Sequence, residues 1–368
     1  MKTGRAIRRT FNPKTIKNLV YWGVPDNTGI SGSITYQTDP TTNGNFEGAA
    51  GPAGWSNWQA TISRQSGTRP GGAGSYVGQV LYDGSDTNGA LTQTELATGN
   101  SYLIQGWAYS DGYSTPRIWT GGITAWTGTA TLGWQQFSFT VASGGTSLWL
   151  GAITLSSGKL VQYDDVTVTP LYCAQLTDLS GNTNHLLQAT AANQPLWVAG
   201  GTGGLLRFAH ASNQYIKATF TYPQPEHIFI AATWTGADST YLVDGNTTNS
   251  MALYCSGTTT LACYSTAAGY NVLSYIDGSA HVYEFIANGG SSNSALARDG
   301  GALNAGSVGT TAAGGITVGT VGGGTSTYAV TADIYGVIAY NRVLSQTERI
   351  RVVKYLAGRA SKAGVQIF

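Results

Sequence analysis

The chain has 368 residues, enough for two or three domains, and its net charge is only +1. Hydrophobic residues make up 42% and charged residues 10%, a balance that excludes a disordered chain because ample apolar surface offsets chain entropy. No apolar run is long enough to cross a bilayer as a helix, and the basic start lacks the apolar core of a signal peptide. We therefore expect synthesis in the cytoplasm, no signal peptide and no membrane partner.

The composition predicts an all-β chain. Aromatic and β-branched residues fit half-buried pleated surfaces, whereas the 51 glycines suit turns. Apolar and polar residues alternate with period two in many short segments, as they do in antiparallel sandwiches.

Two distant segments resemble parts of one known domain. Residues 11–22 read FNPKTIKNLVYW, and residues 176–185 read LTDLSGNTNH. Together they resemble the first strand and following turn of concanavalin A-like, laminin-G-like jelly rolls, which are common in phage virion proteins and secreted glycan-binding proteins. Residues 340–348, YNRVLSQTE, resemble the end of many phage domains of this family. The resemblance implies a discontinuous jelly roll of residues 11–30 and 172–368, preceded by a basic arm at residues 1–10.

The intervening residues 31–171 resemble a second jelly roll. They contain NGNFE at 43–47, GW at 54–55, GWQQFSFT at 133–140 and YDDV at 163–166. These motifs, in this order, resemble the galactose-binding-like fold of carbohydrate-binding modules of families four and nine. The predicted fold is therefore all-β, with two jelly-roll β-sandwiches, one inserted into the other, and one short C-terminal helix.

The inserted segment is the predicted glycan-binding part. Sugars are bound by aromatic ring faces together with amide, carboxylate or guanidinium groups, and seven of the ten tryptophans lie in this segment. Three of them occur in alternating apolar runs and are predicted to be core, namely Trp107, Trp134 and Trp149. A glycine-broken segment nearby supplies the residues predicted to line a sugar groove, which are Trp119, Trp126, Tyr113 and Arg117. Burial of these aromatic residues in the core is the alternative.

The second resemblance also implies a structural calcium ion. Glu47 and Asp164 match positions at which such modules hold calcium between the first and last strands, and carboxylate oxygens suit this ion. Asp165 could replace Asp164 as the ligand. The alternative is that these carboxylates cap exposed turns.

One helix is predicted near the C-terminus. Ser345 and Glu348 have the spacing of a capping box, Ile350, Val353 and Leu356 form an apolar stripe, and Gly358 is a suitable stop. The chain also has three cysteines, without metal-ligand spacing. Cys255 and Cys263 could pair across a hairpin or remain reduced.

Both ends of the chain are basic. Residues 1–17 contain no acidic residue, and Glu348 is the one acidic residue in residues 342–362. The rest of the chain has a negative net charge. The first and last strands of a jelly roll usually pair, so we expect the two ends to form one basic pole. This pole is expected to anchor the protein to an acidic partner surface, and a nucleic-acid partner is not expected. The alternative is that both ends are solvated tails. The anchoring residues are Arg5, Arg8, Arg9, Arg349, Arg351 and Lys354.

No catalytic residues are predicted, and the chain is expected not to be an enzyme. A glycosidase needs two facing carboxylates, and the clustered E-x-D-x-E pattern of hydrolases with a concanavalin-like fold is missing. The four histidines are scattered, with no Ser or Cys nucleophile motif beside them.

These resemblances lead to one functional expectation. The protein is expected at the virion surface of a tailed phage, as a capsid decoration protein or head fibre that displays a glycan-binding module. Its expected partners are the major capsid protein or a tail protein of the same virion, glycans, and further copies of itself. A tail-tip receptor-binding protein is one alternative; a secreted glycan-active enzyme or its accessory module is an alternative of another class.

Overall fold

The computed structural model describes residues 11–25, 34–36, 44–48, 54–67, 69, 71–72, 74–84, 86–98, 100–198, 204–235, 239–265, 268–272, 275–290, 292–324 and 326–360. The described part of the chain is nearly all β with one α-helix close to the C-terminal end, which confirms the predicted fold class. It divides into two compact units. Unit 1 comprises residues 1–35 and 172–368, and unit 2 comprises residues 36–171.

The elements are numbered along the chain. The strands up to the end of unit 2 are β1 Leu19–Gly23, β2 Ile34–Tyr36, β3 Ser56–Trp58, β4 Thr61–Ser66, β5 Tyr76–Leu81, β6 Gly89–Thr94, β7 Ser101–Ser110, β8 Thr115–Thr120, β9 Ile123–Thr127, β10 Gly133–Ala142, β11 Ser147–Ile153 and β12 Leu160–Cys173. Those that follow are β13 Gln175–Leu176, β14 Leu186–Leu187, β15 Leu196–Val198, β16 Leu205–Phe208, β17 Ile216–Thr219, β18 Glu226–Trp234, β19 Tyr241–Asp244, β20 Ala252–Ser256, β21 Thr260–Ser265, β22 Ala268–Val272, β23 Ala280–Ala287, β24 Ser294–Arg298, β25 Asn304–Gly306, β26 Gly315–Val318 and β27 Ala332–Tyr340. The α-helix is α1 Gln346–Arg359, and short 3-10 helices lie at Pro13–Thr15, Ala191–Asn193, His210–Ser212 and Ser326–Tyr328.

Unit 2 is a sandwich of two sheets. Sheet I has the order β3-β6-β11-β8-β9, and sheet II has the antiparallel order β4-β5-β12-β7-β10, with the short strand β2 also paired to β12. The inward positions of their strands form one apolar core, which includes Ile104, Ile118, Phe137 and Leu150. Alternation along each strand therefore leaves an outer face on each sheet.

Unit 1 contains two further sheets. Sheet III has the order β15-β16-β27-β18-β23-β24-β25, and β1 also pairs with β27. Sheet IV has eight strands in the order β13-β14-β17-β26-β19-β20-β21-β22. Helix α1 packs its apolar side on sheet III, where Val352, Val353 and Leu356 join the cluster around Phe229 and Ile338.

The turn after β13 connects the two separated parts of unit 1. The Asp178 carboxylate accepts hydrogen bonds from the backbone amides of Trp22, Ser180 and Asn184. The side-chain amide of Asn184 donates to the carbonyl oxygen of Val20 at 2.8 Å, and that of Asn182 donates to Leu19 at 2.8 Å. These polar side chains therefore bind the first strand directly.

The helix has the predicted N-terminal cap, and its buried face includes Val353 and Leu356 of the predicted stripe but not Ile350. Ser345 and Glu348 form the reciprocal capping box, whereas the helix continues through Gly358 to Arg359. Its buried residues are Arg349, Val352, Val353, Leu356 and Ala357, while Ile350 is only partly buried. No helix in the described part of the chain is long and apolar enough to cross a membrane.

Arg349 lies inside unit 1, so its predicted anchoring role is corrected. Its guanidinium forms a two-pronged ion pair with Glu284, which also hydrogen-bonds the His227 ring at 2.7 Å. Burial lowers the pKa of His227, although the bond to Glu284 acts in the opposite direction. Burial alone would raise the pKa of Glu284, but hydrogen bonds from His227 and Arg349 hold it below its usual value. Glu284 therefore has two buried partners, His227 and Arg349.

The three cysteines are free and buried. Cys255 lies opposite Leu261, and Cys263 lies opposite Leu253, on neighbouring strands β20 and β21. The two thiols are therefore not joined across this hairpin.

Candidate glycan-binding site

The four residues predicted to line a sugar groove do not form one groove. Trp119 and Arg117 lie on the outer face of sheet I, with the guanidinium 5.8 Å from the centre of the indole ring. Trp126 lies opposite Ile118 on β9, points to the core side and packs against Phe137 with ring centres 5.2 Å apart. Its assignment to the groove is therefore corrected.

Tyr113 is in the turn between β7 and β8. Its side chain is 50% exposed, and the Lys159 ammonium is 5.2 Å from its ring centre. Only Trp119 and Arg117 of the predicted set are therefore brought together.

Sheet I carries three tryptophans on its outer face. Trp58 and Trp149 stack with ring centres 4.9 Å apart, and Trp119 meets Trp149 edge-on at 6.3 Å. Trp149 was predicted to be core, but it is only half-buried, because β11 directs it away from Leu148 and Leu150. Part of the ring surface of these indoles is therefore in contact with another indole.

The outer face of sheet II carries a continuous row of one side chain from each strand. Trp134, Tyr109, Gln162, Gln79 and Ser63 lie directly opposite one another from β10 to β4. The Trp134 and Tyr109 rings are 5.5 Å apart at 55°, which leaves the two rings tilted toward each other. The amide of Gln162 donates to the Gln79 side chain at 3.2 Å, and Gln79 donates to the Ser63 hydroxyl at 3.4 Å. Aromatic and amide groups are thus held side by side.

A parallel row lies two residues along the same strands. Gln136, Trp107 and Asp164 are opposite one another. The Arg69 guanidinium lies 4.6 Å from the centre of the Trp107 ring and contacts the Asp165 carboxylate at 2.5 Å. Charge on Arg69 is therefore held beside an aromatic ring face.

Trp107 and Trp134 were predicted to be core and are instead half-buried on this outer face. The other positions of β7 show why: Tyr102, Ile104 and Ala108 are apolar and fill the core. Period-two alternation identifies two faces, and a face that mixes aromatic with amide side chains is the one suited to a ligand. The mixed composition of the Trp107 face was a signal present in the sequence.

The predicted calcium ligands are close together but have other partners. Glu47 Oε1 accepts the backbone amides of Ser75 and Tyr76, and Arg69 Nε is 4.0 Å from Asp164 Oδ2. Burial, and then the neighbouring Asp165, raise the pKa of Asp164 to about 6, and Glu47 acts in the same direction.

A calcium ion takes six to eight oxygen ligands, so the two predicted carboxylates alone would not complete its coordination, and the calcium site stays a prediction. The carbonyl oxygens of Phe46 and Glu47 accept from Arg64, and no group of three or more His, Cys, Asp or Glu in the described ranges could hold a metal ion. Arginine side chains supply the positive charge here.

The basic pole is present in part. Four basic side chains are exposed, those of Lys14, Lys17, Arg351 and Lys354. The N-terminal segment packs on α1. There, the Arg351 guanidinium lies 4.8 Å from the Phe11 ring centre, and Arg351 Nη2 lies 3.3 Å from Thr15 Oγ1. The predicted anchoring residues Arg5, Arg8 and Arg9 lie outside the described residues. Both ends of the described chain thus contribute to one basic surface.

No protein-family model matches the chain, and no curated protein matches it. Several solved structures do. A GH54 arabinofuranosidase soaked with a cyclic sulfate inhibitor is 12% identical, with a TM-score of 0.40, over 71% of this chain and 63% of that one. A Trypanosoma rangeli sialidase mutant is 13% identical, with a TM-score of 0.32, over 51% and 31% of the two chains. The enzymatically active domain of bacteriophage CBA120 tailspike protein 4 is 14% identical, with a TM-score of 0.27, over 36% and 21%.

These matches correct the expectation that the chain is not an enzyme. The matched structures are named as a glycosidase, a sialidase and an enzymatically active tailspike domain, and a further one as a cyclase from Fischerella sp. TAU. The names are mainly those of carbohydrate-active proteins, while none of them shows the phage jelly-roll family. Such low identities and TM-scores assign no reaction to this chain.

Proposed function

We propose that unit 2 binds glycans on the outer face of sheet II. The observation that carries the proposal is the row Trp134, Tyr109, Gln162, Gln79 and Ser63. Sugar rings have an apolar C–H face and a rim of hydroxyl groups, so aromatic rings beside amides meet both needs. The amides also hydrogen-bond one another, which holds their positions before a ligand arrives.

Sheet II is a better candidate than sheet I for a chemical reason. On sheet I, Trp58 and Trp149 stack on each other at 25°, so the facing ring surfaces are already in contact. On sheet II, three amide side chains that are exposed or partly exposed accompany the aromatic rings, those of Gln105, Gln136 and Gln162. Hydroxyl recognition therefore favours sheet II.

The test is a glycan array with the full chain, followed by titration of the best glycan into variants. Trp134→Ala and Gln162→Ala should each weaken binding at least about tenfold, a change of about 1.4 kcal/mol. Trp119→Ala is the matched control, because it removes a half-buried outward tryptophan from the other sheet. Weakening by Trp119→Ala alone would place the site on sheet I.

The same glycans should be assayed for new reducing ends. Cleavage would make the protein a glycan-active enzyme, in line with the enzymes among the matched structures. Binding without cleavage would support an adhesion module.

We further propose that unit 1 attaches the protein to a phage particle through the basic surface of Lys14, Lys17, Arg351 and Lys354. The exposure of these cations supports the proposal, since they can pair with an acidic partner surface. Many copies on one particle would strengthen weak glycan adhesion by avidity. Cryo-electron microscopy of the particle should show the chain on the capsid as a decoration protein or head fibre. Density at the tail tip would make it a receptor-binding protein. Absence from the particle would refute attachment.

A further inference from the structure

A cavity of about 590 Å³ opens on sheet IV of unit 1. Its wall is formed by the end of the 176–185 turn, by β14 and by β17, and includes His185, Leu187, Gln188, Tyr215 and Lys217. This volume lies within the range of small-ligand sites. The glycan-binding site proposed for unit 2 does not include this cavity.

The described residues that line the cavity carry one positive charge. Lys217 is the one Lys or Arg among them, and they include no Asp or Glu. The Lys217 ammonium lies 5.9 Å from the centre of the Tyr215 ring. An ammonium group beside a ring presents a point charge next to an apolar surface.

Hydrogen bonds fix the polar walls. The Gln188 side chain donates to the Tyr215 carbonyl at 3.2 Å and accepts the Thr190 amide at 3.0 Å. His185 Nδ1 accepts the Asp178 amide at 3.0 Å, so a neutral His185 ring carries its proton on Nε2. The cavity is therefore largely pre-formed.

The apolar part of the wall is formed by Leu187 and the Tyr215 ring. Leu187 is 50% exposed, and it lies opposite Lys217 in the sheet. The cavity thus combines an exposed leucine, a tyrosine ring, hydrogen-bonding groups and one cation. A small inorganic anion would use the cation and leave the apolar surface without a contact.

We propose that this cavity binds an acidic saccharide. The sugar carboxylate pairs with Lys217, the ring C–H face lies against Tyr215 and Leu187, and hydroxyl groups meet the polar wall. This makes the chain a two-site glycan binder, with one site on each unit. The proposal is independent of the site on sheet II, because it uses none of its residues.

The experiment is isothermal titration of the full chain with hexagalacturonate, compared with neutral maltohexaose. Hexagalacturonate should bind, binding should weaken as salt is raised because the charge pair is screened, and maltohexaose should bind at least about tenfold more weakly. Lys217→Gln should weaken hexagalacturonate binding at least about tenfold. Lys159→Gln is the matched control, since Lys159 also lies beside a tyrosine ring but in unit 2.

The outcomes separate the two sites. Hexagalacturonate binding that is lost in Trp134→Ala and kept in Lys217→Gln would overturn the cavity proposal and leave the sheet II site standing. Equal binding of the neutral oligosaccharide, inorganic phosphate competing at equal concentration, or no binding of hexagalacturonate would also overturn it. A thermal melt of Lys217→Gln should match the unaltered chain, because Lys217 is only partly buried.

Discussion

Asp178 accepts a hydrogen bond from the backbone amide of Trp22 at 3.1 Å, although 156 positions separate the two residues. The same carboxylate accepts from Ser180 and Asn184 within its own turn. The LTDLSGNTNH segment is therefore a structural clamp between the first strand and the chain that returns after unit 2. A polar motif of this kind can be mistaken for a catalytic one in sequence.

Removing the Asp178 carboxylate should destabilise unit 1. Asp178→Ala leaves the amides of Trp22 and Asn184 without this acceptor, and each buried unsatisfied group costs about 1–3 kcal/mol. We expect a loss of at least about 2 kcal/mol in the unfolding free energy, measured by chemical denaturation. Asp333→Ala is the control, because its partly exposed pair with Arg207 should contribute about 1 kcal/mol or less. Equal losses in both variants would contradict the clamp.

Unit 1 should fold without unit 2. Replacing residues 36–171 by a short Gly/Ser linker keeps the contacts of Asp178, Asn182 and Asn184 with β1. We expect a monodisperse protein with a β-sheet circular dichroism spectrum and a cooperative melt. An insoluble or molten product would show that unit 1 depends on the inserted residues.

His281 should stabilise the fold more at low pH than at high pH. Burial alone would lower its pKa, but hydrogen bonds to Asp299 and Asp277 raise it above the ordinary value. A raised folded-state pKa gives stability that is complete below the unfolded pKa, about 6.5, and is lost as pH rises through the folded pKa.

The measurement is the difference in unfolding free energy between the unaltered chain and His281→Gln. This difference should be larger at about pH 5.5 than at about pH 8.5. A constant difference across this range would show that the ring does not titrate against these carboxylates.

Calcium should leave the melting temperature of the protein unchanged. Arg69 lies beside Asp164 and Asp165, and Arg64 binds the nearby carbonyl oxygens, so the positions a calcium ion needs are already satisfied. The test compares melts in millimolar calcium and in EDTA, with Glu47→Gln as the control. A fall of several degrees in EDTA that is missing in Glu47→Gln would instead support the sequence-based calcium site.

Local patterns predicted the elements better than they predicted the use of individual side chains. The capping box depends on Ser345 and Glu348, which are three positions apart, so a short stretch of sequence contains all the information it needs. Arg349, in contrast, could not be assigned to the interior, because its partner Glu284 is 65 positions away. Trp134 was misassigned because alternation defines two faces of a strand but does not say which one faces the core.

The most direct test is a crystal structure of the full chain with the oligosaccharide selected by the glycan array. We predict a sugar ring against Trp134 and Tyr109 on sheet II, with its hydroxyl groups hydrogen-bonded to Gln162. A sugar bound on the Trp58–Trp149–Trp119 face of sheet I, with sheet II unoccupied at saturating ligand, would contradict the central claim.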